Sequence, residues 1–348
     1  MKNSKIIVLI FLGLSLVLGI FFWLKKQSEH DVSISFYYWK SEFNLNEKDK
    51  IKLKDCSSDR IYLHLFDVDI EVGKTEATPK AIIKFVDHFP ENLSIVPVIY
   101  ITNKTFEQAN TSNNKDLAKK IIQLSRKLTN ALGTEWIEFQ IDCDWTVKTK
   151  DNYFEFLRLL KLELGPTIPL SATIRLHQIK YPEKTGIPPI DRGILMFYNI
   201  GNVREFSQKN TIYDEQIASP YLDKLNDYPI KLDYALPAFS WGLHYRLKTI
   251  QSILSDKQLA EIQKCNSFKT EGNIAICLED MFCSGQYFLK GDIVKFERVT
   301  SELCTKVAQQ LAKHINSSTF QVVFYHLGSE EIQNYEASKL KDIGAIFN

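Results

Sequence analysis

The residues best placed for chemistry lie in one stretch, IEFQIDCDWT, from Ile137 to Thr146. Every second position in it is polar: Glu138, Gln140, Asp142, Asp144 and Thr146. A β-strand sends alternate side chains to opposite faces, so all five share one face. Asp142 and Asp144 then stand about 6.6 Å apart along the strand, at about 3.3 Å per residue. Like charges that close raise one of the two pKa values, which is what a carboxyl group needs for acid or base work near neutral pH. The row makes sense if that face opens into a barrel, with Glu138 deep and Asp142, Asp144 and Thr146 climbing to the mouth. The competing reading is a half-exposed strand whose polar face meets water.

The elements that would position this strand alternate along the chain. Strand-like runs occupy 33–39, 60–70, 93–101, 136–145, 168–176, 193–200, 230–239 and 320–327. Apolar residues recur at helical spacing over 78–89, 115–132, 151–164 and 301–315, with Gly133 and Gly165-Pro166 as stops. Strands separated by helices build parallel βαβ units. Eight of them predict an α/β fold, a (β/α)8 TIM barrel over 33–348, with functional groups at the C-terminal ends of the strands. No glycine-rich phosphate loop follows the first strand, which counts against an open doubly wound sheet. The long gap before the last strand predicts an insertion at about 245–300, with a helix in 251–263.

The 348 residues are 45% hydrophobic, enough for a core of that size. A net charge of +1 leaves no electrostatic footprint for nucleic acid. The charge-free run Ile6–Leu24, between Lys2 and Lys5 on one side and Lys25 and Lys26 on the other, is long enough to cross about 30 Å of hydrocarbon. It ends in Phe21, Phe22 and Trp23, a poor cleavage site and a good interfacial belt. The expectation is an uncleaved signal anchor over 1–26 and a linker over 27–32. The chain then crosses the cytoplasmic membrane once and carries its C-terminal domain outside. The six cysteines include no CxxC pair and the seven histidines no ligand spacing, so neither a metal nor an organic cofactor is expected. In an exported domain Cys265, Cys277 and Cys283 could staple a local excursion; the alternative is that they are buried free thiols.

Taken in chain order, several of these segments resemble chitinase-type glycosidases (glycoside hydrolase family eighteen). Asp142-Cys143-Asp144 resembles their fourth-strand signature D-x-x-D-x-D-x-E, and Met196-Phe197-Tyr198-Asn199 their sixth-strand M-x-Y-D. Leu232 to Trp241 is similar to their seventh strand with its Leu-Pro-aromatic turn, and Phe36 to Trp39 to their first. The pattern is more similar still to an uncharacterised group of bacterial barrel proteins. There the fourth strand reads Q-x-D-x-D, the fifth L-S-x-T, and S-W-G follows the seventh. Here these are Gln140 to Asp144, Leu170 to Thr173 and Ser240 to Gly242.

The resemblance implies a carbohydrate-active barrel acting on or binding an envelope or exported polysaccharide. Asp144 would be its catalytic or substrate-orienting carboxylate, with Asp142 tuning the charge, and Tyr198 and Asn199 would hold the sugar. Tyr198 and Trp241 are candidate sugar-stacking rings, followed by Trp39, Tyr38 and Trp145; Gln140 and Arg175 are candidate polar contacts. Arg175 and His177 share a strand face with Ser171 and Thr173. If that face is inward, Arg175 can pair with Asp142 or hold a ligand carboxylate; if outward, it packs on the helix rim. The sequence departs from these signatures where the proton-donating Glu falls on Thr146 and where the sixth-strand Asp is Asn199. Glycoside hydrolysis needs two carboxyl groups about 5 to 9.5 Å apart across the sugar. A replacement would come from Glu330, Glu331, Asp67, Asp69, Glu279 or Asp280. The competing expectation is a non-catalytic glycan-binding or scaffold protein of the envelope.

Overall fold

Eight parallel strands close on themselves in the structure, a computed structural model. They are β1 (Asp31–Tyr38), β2 (Arg60–Asp69), β3 (Ser94–Ile101), β4 (Phe139–Asp142), β5 (Leu170–Ile174), β6 (Arg192–Met196), β7 (Leu232–Pro237) and β8 (Thr319–Leu327). Each pairs with the next, and β8 pairs with β1 to complete the ring. All eight runs read as strands from the sequence are these strands. The structure describes residues 31–71, 73–74, 76–108 and 111–348. The expected anchor at Ile6–Leu24 lies outside them. No helix among the described residues is long and apolar enough to cross a membrane.

The strands are buried on both faces, as parallel strands flanked by helices must be, and so read as nearly continuous apolar runs. Ile61, Tyr62, Leu63, Leu65 and Phe66 of β2 are all buried. The helices Thr111–Thr129, Lys150–Leu164 and Ser301–Ala312 form part of the outer layer. Helix Lys150–Leu164 turns Tyr153, Phe156, Leu157 and Leu160 inward and stops at Gly165, whose φ of 80° suits a residue without a Cβ.

One expected helix does not form. Over 78–89 the chain makes two short strands instead. Thr78–Lys80 pairs antiparallel with the overhanging end of β2, and Lys84–Phe85 pairs with Glu42–Phe43. β2 runs on past the barrel rim, and its unpaired edge captures the segment; Pro79, opposite Val68, is tolerated at such an edge. Tertiary pairing thus overrides the helical spacing.

The insertion is an antiparallel sheet ordered Thr249–Leu254, Ser240–Arg246, Ile293–Arg298, Ile274–Cys277, Phe268–Glu271. The helix Asp256–Gln263 packs on it, and a hairpin of Met281–Cys283 and Gln286–Phe288 follows. This helix starts later than the apolar spacing placed it, at Ser255, whose side chain and Gln258 close a capping box. Gly242 is where sheet and helix meet. A Cβ there would run into Leu259 and crowd Val294 and Leu254. Gly242→Ala is therefore expected to cost about 1–3 kcal/mol by overpacking. Urea unfolding, with tryptophan fluorescence to report on Trp241 beside it, measures the loss.

Candidate active site at the barrel mouth

Three members of the β4 polar row, Glu138, Gln140 and Asp142, are buried inside the barrel, and β5 supplies their partners. The Ser171 hydroxyl donates to Glu138 Oε1 at 2.5 Å and accepts from Gln140 Nε2 at 3.2 Å. Tyr37 of β1 donates its hydroxyl to Gln140 Oε1 at 2.6 Å. Thr173 donates to Asp142 Oδ1 at 2.6 Å. Burial pushes the Glu138 carboxyl up to about 7, against the pull of the Ser171 hydrogen bond. Burial likewise raises Asp142; Arg175 opposes the shift and Asp144 adds to it.

Asp144 lies beyond the end of β4, with 51% of its side chain exposed. Arg175, the residue after β5, turns inward and grips it with two hydrogen bonds: Nε to Oδ1 at 2.5 Å and Nη2 to Oδ2 at 3.3 Å. The partner of Arg175 is thus Asp144 and not Asp142. Burial works against the guanidinium's charge, but Asp144 and Asp142 hold it firmly protonated. Asp144 and Arg175 border a cavity of about 460 Å³, shared with Thr146, His177, Tyr198 and Asn199. That volume is within the usual range for small-ligand sites. His177 sits in the turn of helix Leu176–Lys180, past the end of the strand, and burial lowers its pKa. Asn199 is exposed and has a φ of 55°.

The rest of the mouth is aromatic. Tyr325 of β8 lies 5.7 Å from both Tyr37 and Trp39, 5.2 Å from Tyr198 and 5.4 Å from Phe239. Trp39 stacks on His64 at 4.2 Å, and His64 Nε2 meets Asp67 Oδ1 at 2.8 Å. Tyr100 of β3 is carried to about 12 by burial and by the nearby Asp142 and Asp144. Tyr37, Tyr325, Phe239 and Tyr100 were not expected from sequence. Tyr37 was within reach, because it shares a strand face with Trp39.

The structure brings Asp144, Arg175, Tyr198 and Asn199 to one cavity, with Asp142 buried beside them. Gln140 is fully buried as a crosspiece between β1 and β5. Trp39 lies across the mouth on the β1 and β2 side. Trp241 is half-buried and donates its indole N–H to Glu297 of the insertion at 3.0 Å, away from this cavity. Tyr38 is buried, with its hydroxyl on the carbonyls of Glu42 and Asn44. Trp145 is buried against Tyr153, with its indole N–H on the Thr185 carbonyl. Thr146 is exposed at the rim, its amide N–H on Thr149 Oγ1 at 2.9 Å.

The other carboxylates lie elsewhere. Asp67 is held by His64, Asp69 accepts from Thr102, and buried Glu331 faces Arg298. Glu330 opens a short helix, its backbone amide donating to Asp256, and borders a different cavity with Glu42 and Asp256. Glu279 accepts from Ser267, and Asp280 accepts from the Lys290 amide. Among the described residues Asp144 is the one carboxylate lining the cavity, and no cluster suited to a metal ion occurs.

No protein-family model matches the chain, and neither does any curated protein sequence. Solved structures do. The spore cortex-lytic enzyme SleL of Bacillus cereus superposes with a TM-score of 0.52 at 16% identity, over 90% of this chain and 75% of that one. SleL of Bacillus megaterium gives 0.51 at 11%, over 90% and 74%. A class V chitinase from Pseudomonas fluorescens gives 0.51 at 11%, over 89% and 98%. The fold is the chitinase-type barrel. In this chitinase-type barrel the end of β4 carries two carboxylates and, where the family signature has its Glu, a threonine.

Glu138 gives the barrel a pH dependence of known sign. In the folded chain it holds its proton up to about 7, whereas the unfolded carboxyl releases it near 4.5. The folded state therefore binds more protons between those values, and this stabilisation is lost as pH rises from 4.5 through 7. Its size is on the order of 3 kcal/mol. Urea unfolding of the wild type and Glu138→Gln across that range should show the variant gaining stability relative to wild type as pH rises.

Proposed function

We propose that this chain is a glycoside-hydrolase-like barrel that takes a glycan of the cell envelope, or an exported polysaccharide, into the mouth beside β4. The same proposal has Ile6–Leu24 hold it in the cytoplasmic membrane with the barrel outside. The observation that carries the reading is the half-exposed Asp144 carboxylate on a ligand-sized cavity, clamped by Arg175 and flanked by Tyr198 and Asn199. Sugars present hydroxyl and amide donors, which a fixed carboxylate on a ligand-sized cavity answers; Tyr198, only 3% exposed, lines the cavity wall and offers little open face for stacking.

The chain's own groups divide the work. Asp144 accepts a hydrogen bond from the sugar in a direction set by the guanidinium fork of Arg175. Asp142, its carboxyl raised by burial and by the charge of Asp144 against the pull of Arg175, stands behind that pair. The ring of Tyr198 stays in place through Tyr325 and Phe239, with its hydroxyl 3.3 Å from Met196 Sδ. Hydrolysis also needs a proton donor for the leaving group. A second reading, retention of the glycan without cleavage, is favoured by one observation: position 146 offers only a hydroxyl and, among the described residues, no carboxylate besides Asp144 borders the cavity.

The test is a panel of envelope glycans offered to the wild type, Asp144→Asn and Thr146→Glu, with binding and released reducing ends recorded together. Asp144→Asn should weaken binding by about tenfold or more, the loss of one charge-assisted hydrogen bond. Sugar release by the wild type, absent in Asp144→Asn, establishes a hydrolase. Binding without release, with cleavage appearing only in Thr146→Glu, establishes the retaining role. If no glycan binds to any of the three, the carbohydrate reading is wrong. Protease added outside intact cells should digest the barrel; protection would refute the proposed orientation.

A further inference from the structure

We infer that Cys265 and Cys283 form an intrachain disulfide that pins the insertion's hairpin to its helix. All six cysteines are free thiols in this structure, but they are not equivalent. Cys56, Cys143 and Cys304 are buried at separate places in the barrel body. Cys277 is buried and donates its thiol to the Glu279 carbonyl at 3.0 Å. Cys265 and Cys283 are half-buried and pack, with Met281, on the same small core of the insertion; burial raises the Cys283 thiol, and the nearby Cys265 adds to the rise. Cys265 leaves the end of helix Asp256–Gln263 and lies against the hairpin, its Sγ 3.8 Å from Met281 Sδ. Cys283 closes the strand Met281–Cys283, just before the Ser284-Gly285 turn.

The hairpin has need of such a tie. A two-stranded ribbon is marginal by itself. Here Phe282 and Tyr287 face each other across the ribbon, 70% and 56% exposed, and only Phe288 is fully buried. The remaining links to the helix are polar: Gln258 Nε2 to the Ser284 carbonyl at 2.9 Å, and Ser284 Oγ to Glu261 at 2.5 Å. In the oxidation the two thiols lose two protons and two electrons as the S–S bond forms. A small disulfide such as oxidised glutathione accepts both and leaves as two thiols. Persistence of the bond rests on the extracytoplasmic placement proposed above, because reducing compartments keep thiols open.

The full chain in detergent is incubated with oxidised glutathione, alkylated after denaturation, digested without reductant and mapped by mass spectrometry. The expected result is one cross-linked pair, Cys265 with Cys283, about 2 Da lighter than the two free peptides combined. The other four thiols are expected to be alkylated. Cys277→Ser should leave the cross-link intact, and Cys265→Ser or Cys283→Ser should abolish it. In limited proteolysis by an aromatic-specific protease, cutting at Phe282 and Tyr287 should be several-fold slower in the oxidised than in the reduced protein. A cross-link through Cys277, or six alkylated cysteines after oxidation, overturns the inference. A second sample is alkylated in intact cells before lysis. Cross-linking by glutathione but free thiols in that sample would uphold the pairing and refute the extracytoplasmic placement instead.

Discussion

A carboxylate inside a closed barrel must be hydrogen-bonded, paired or neutral, and β4 places two of them there. Much of the site's architecture follows from satisfying that row. Ser171 and Thr173 stand opposite it on β5 because each carries a short hydroxyl that reaches one strand across. Tyr37 reaches Gln140 from the far side of the barrel and ties β1 into the same network. Arg175 is drawn inward at the end of β5, where an outward turn would have packed it on the helix rim. The L-S-x-T segment is thus the complement of the Q-x-D-x-D segment: two short motifs, distant in sequence, that meet as one hydrogen-bonded ladder.

Much of this was legible in the sequence because period and chemistry agreed. The eight apolar runs are the eight barrel strands, and the alternating row on β4 does face inward. Positions that depend on partners from elsewhere were harder to read. The segment 78–89 has helical spacing, yet the exposed end of β2 takes it as a strand, and nothing local encodes that edge. Arg175 was expected, if its face turned inward, to pair with Asp142 or hold a ligand carboxylate; it does turn inward, but meets Asp144, which stands past the end of β4. Tyr325 gathers rings from β1, β6 and β7, an arrangement that no single segment displays. Asp67 was weighed by itself as a replacement acid, and His64, three residues before it in the same strand, proves to be its partner.

The insertion and the barrel are joined at the S-W-G segment, whose three residues have distinct tasks. Ser240 begins the first insertion strand, Trp241 binds Glu297 across it, and Gly242 leaves room for Leu259. Trp241 therefore acts as a bracket at the barrel rim.

The grip of Arg175 on Asp144 also bears on how a ligand arrives. The two charges cancel at close range, and Asp142 below is pushed toward its neutral form. The cavity thus projects little net field into solvent, and the chain as a whole carries a charge of only +1. Long-range steering, which speeds charged ligands and fades with salt, has little to act on here. On the glycan-binding proposal, capture at such a mouth would proceed by ordinary diffusion, nearly indifferent to ionic strength, and selection would be made by shape and hydrogen bonding after contact.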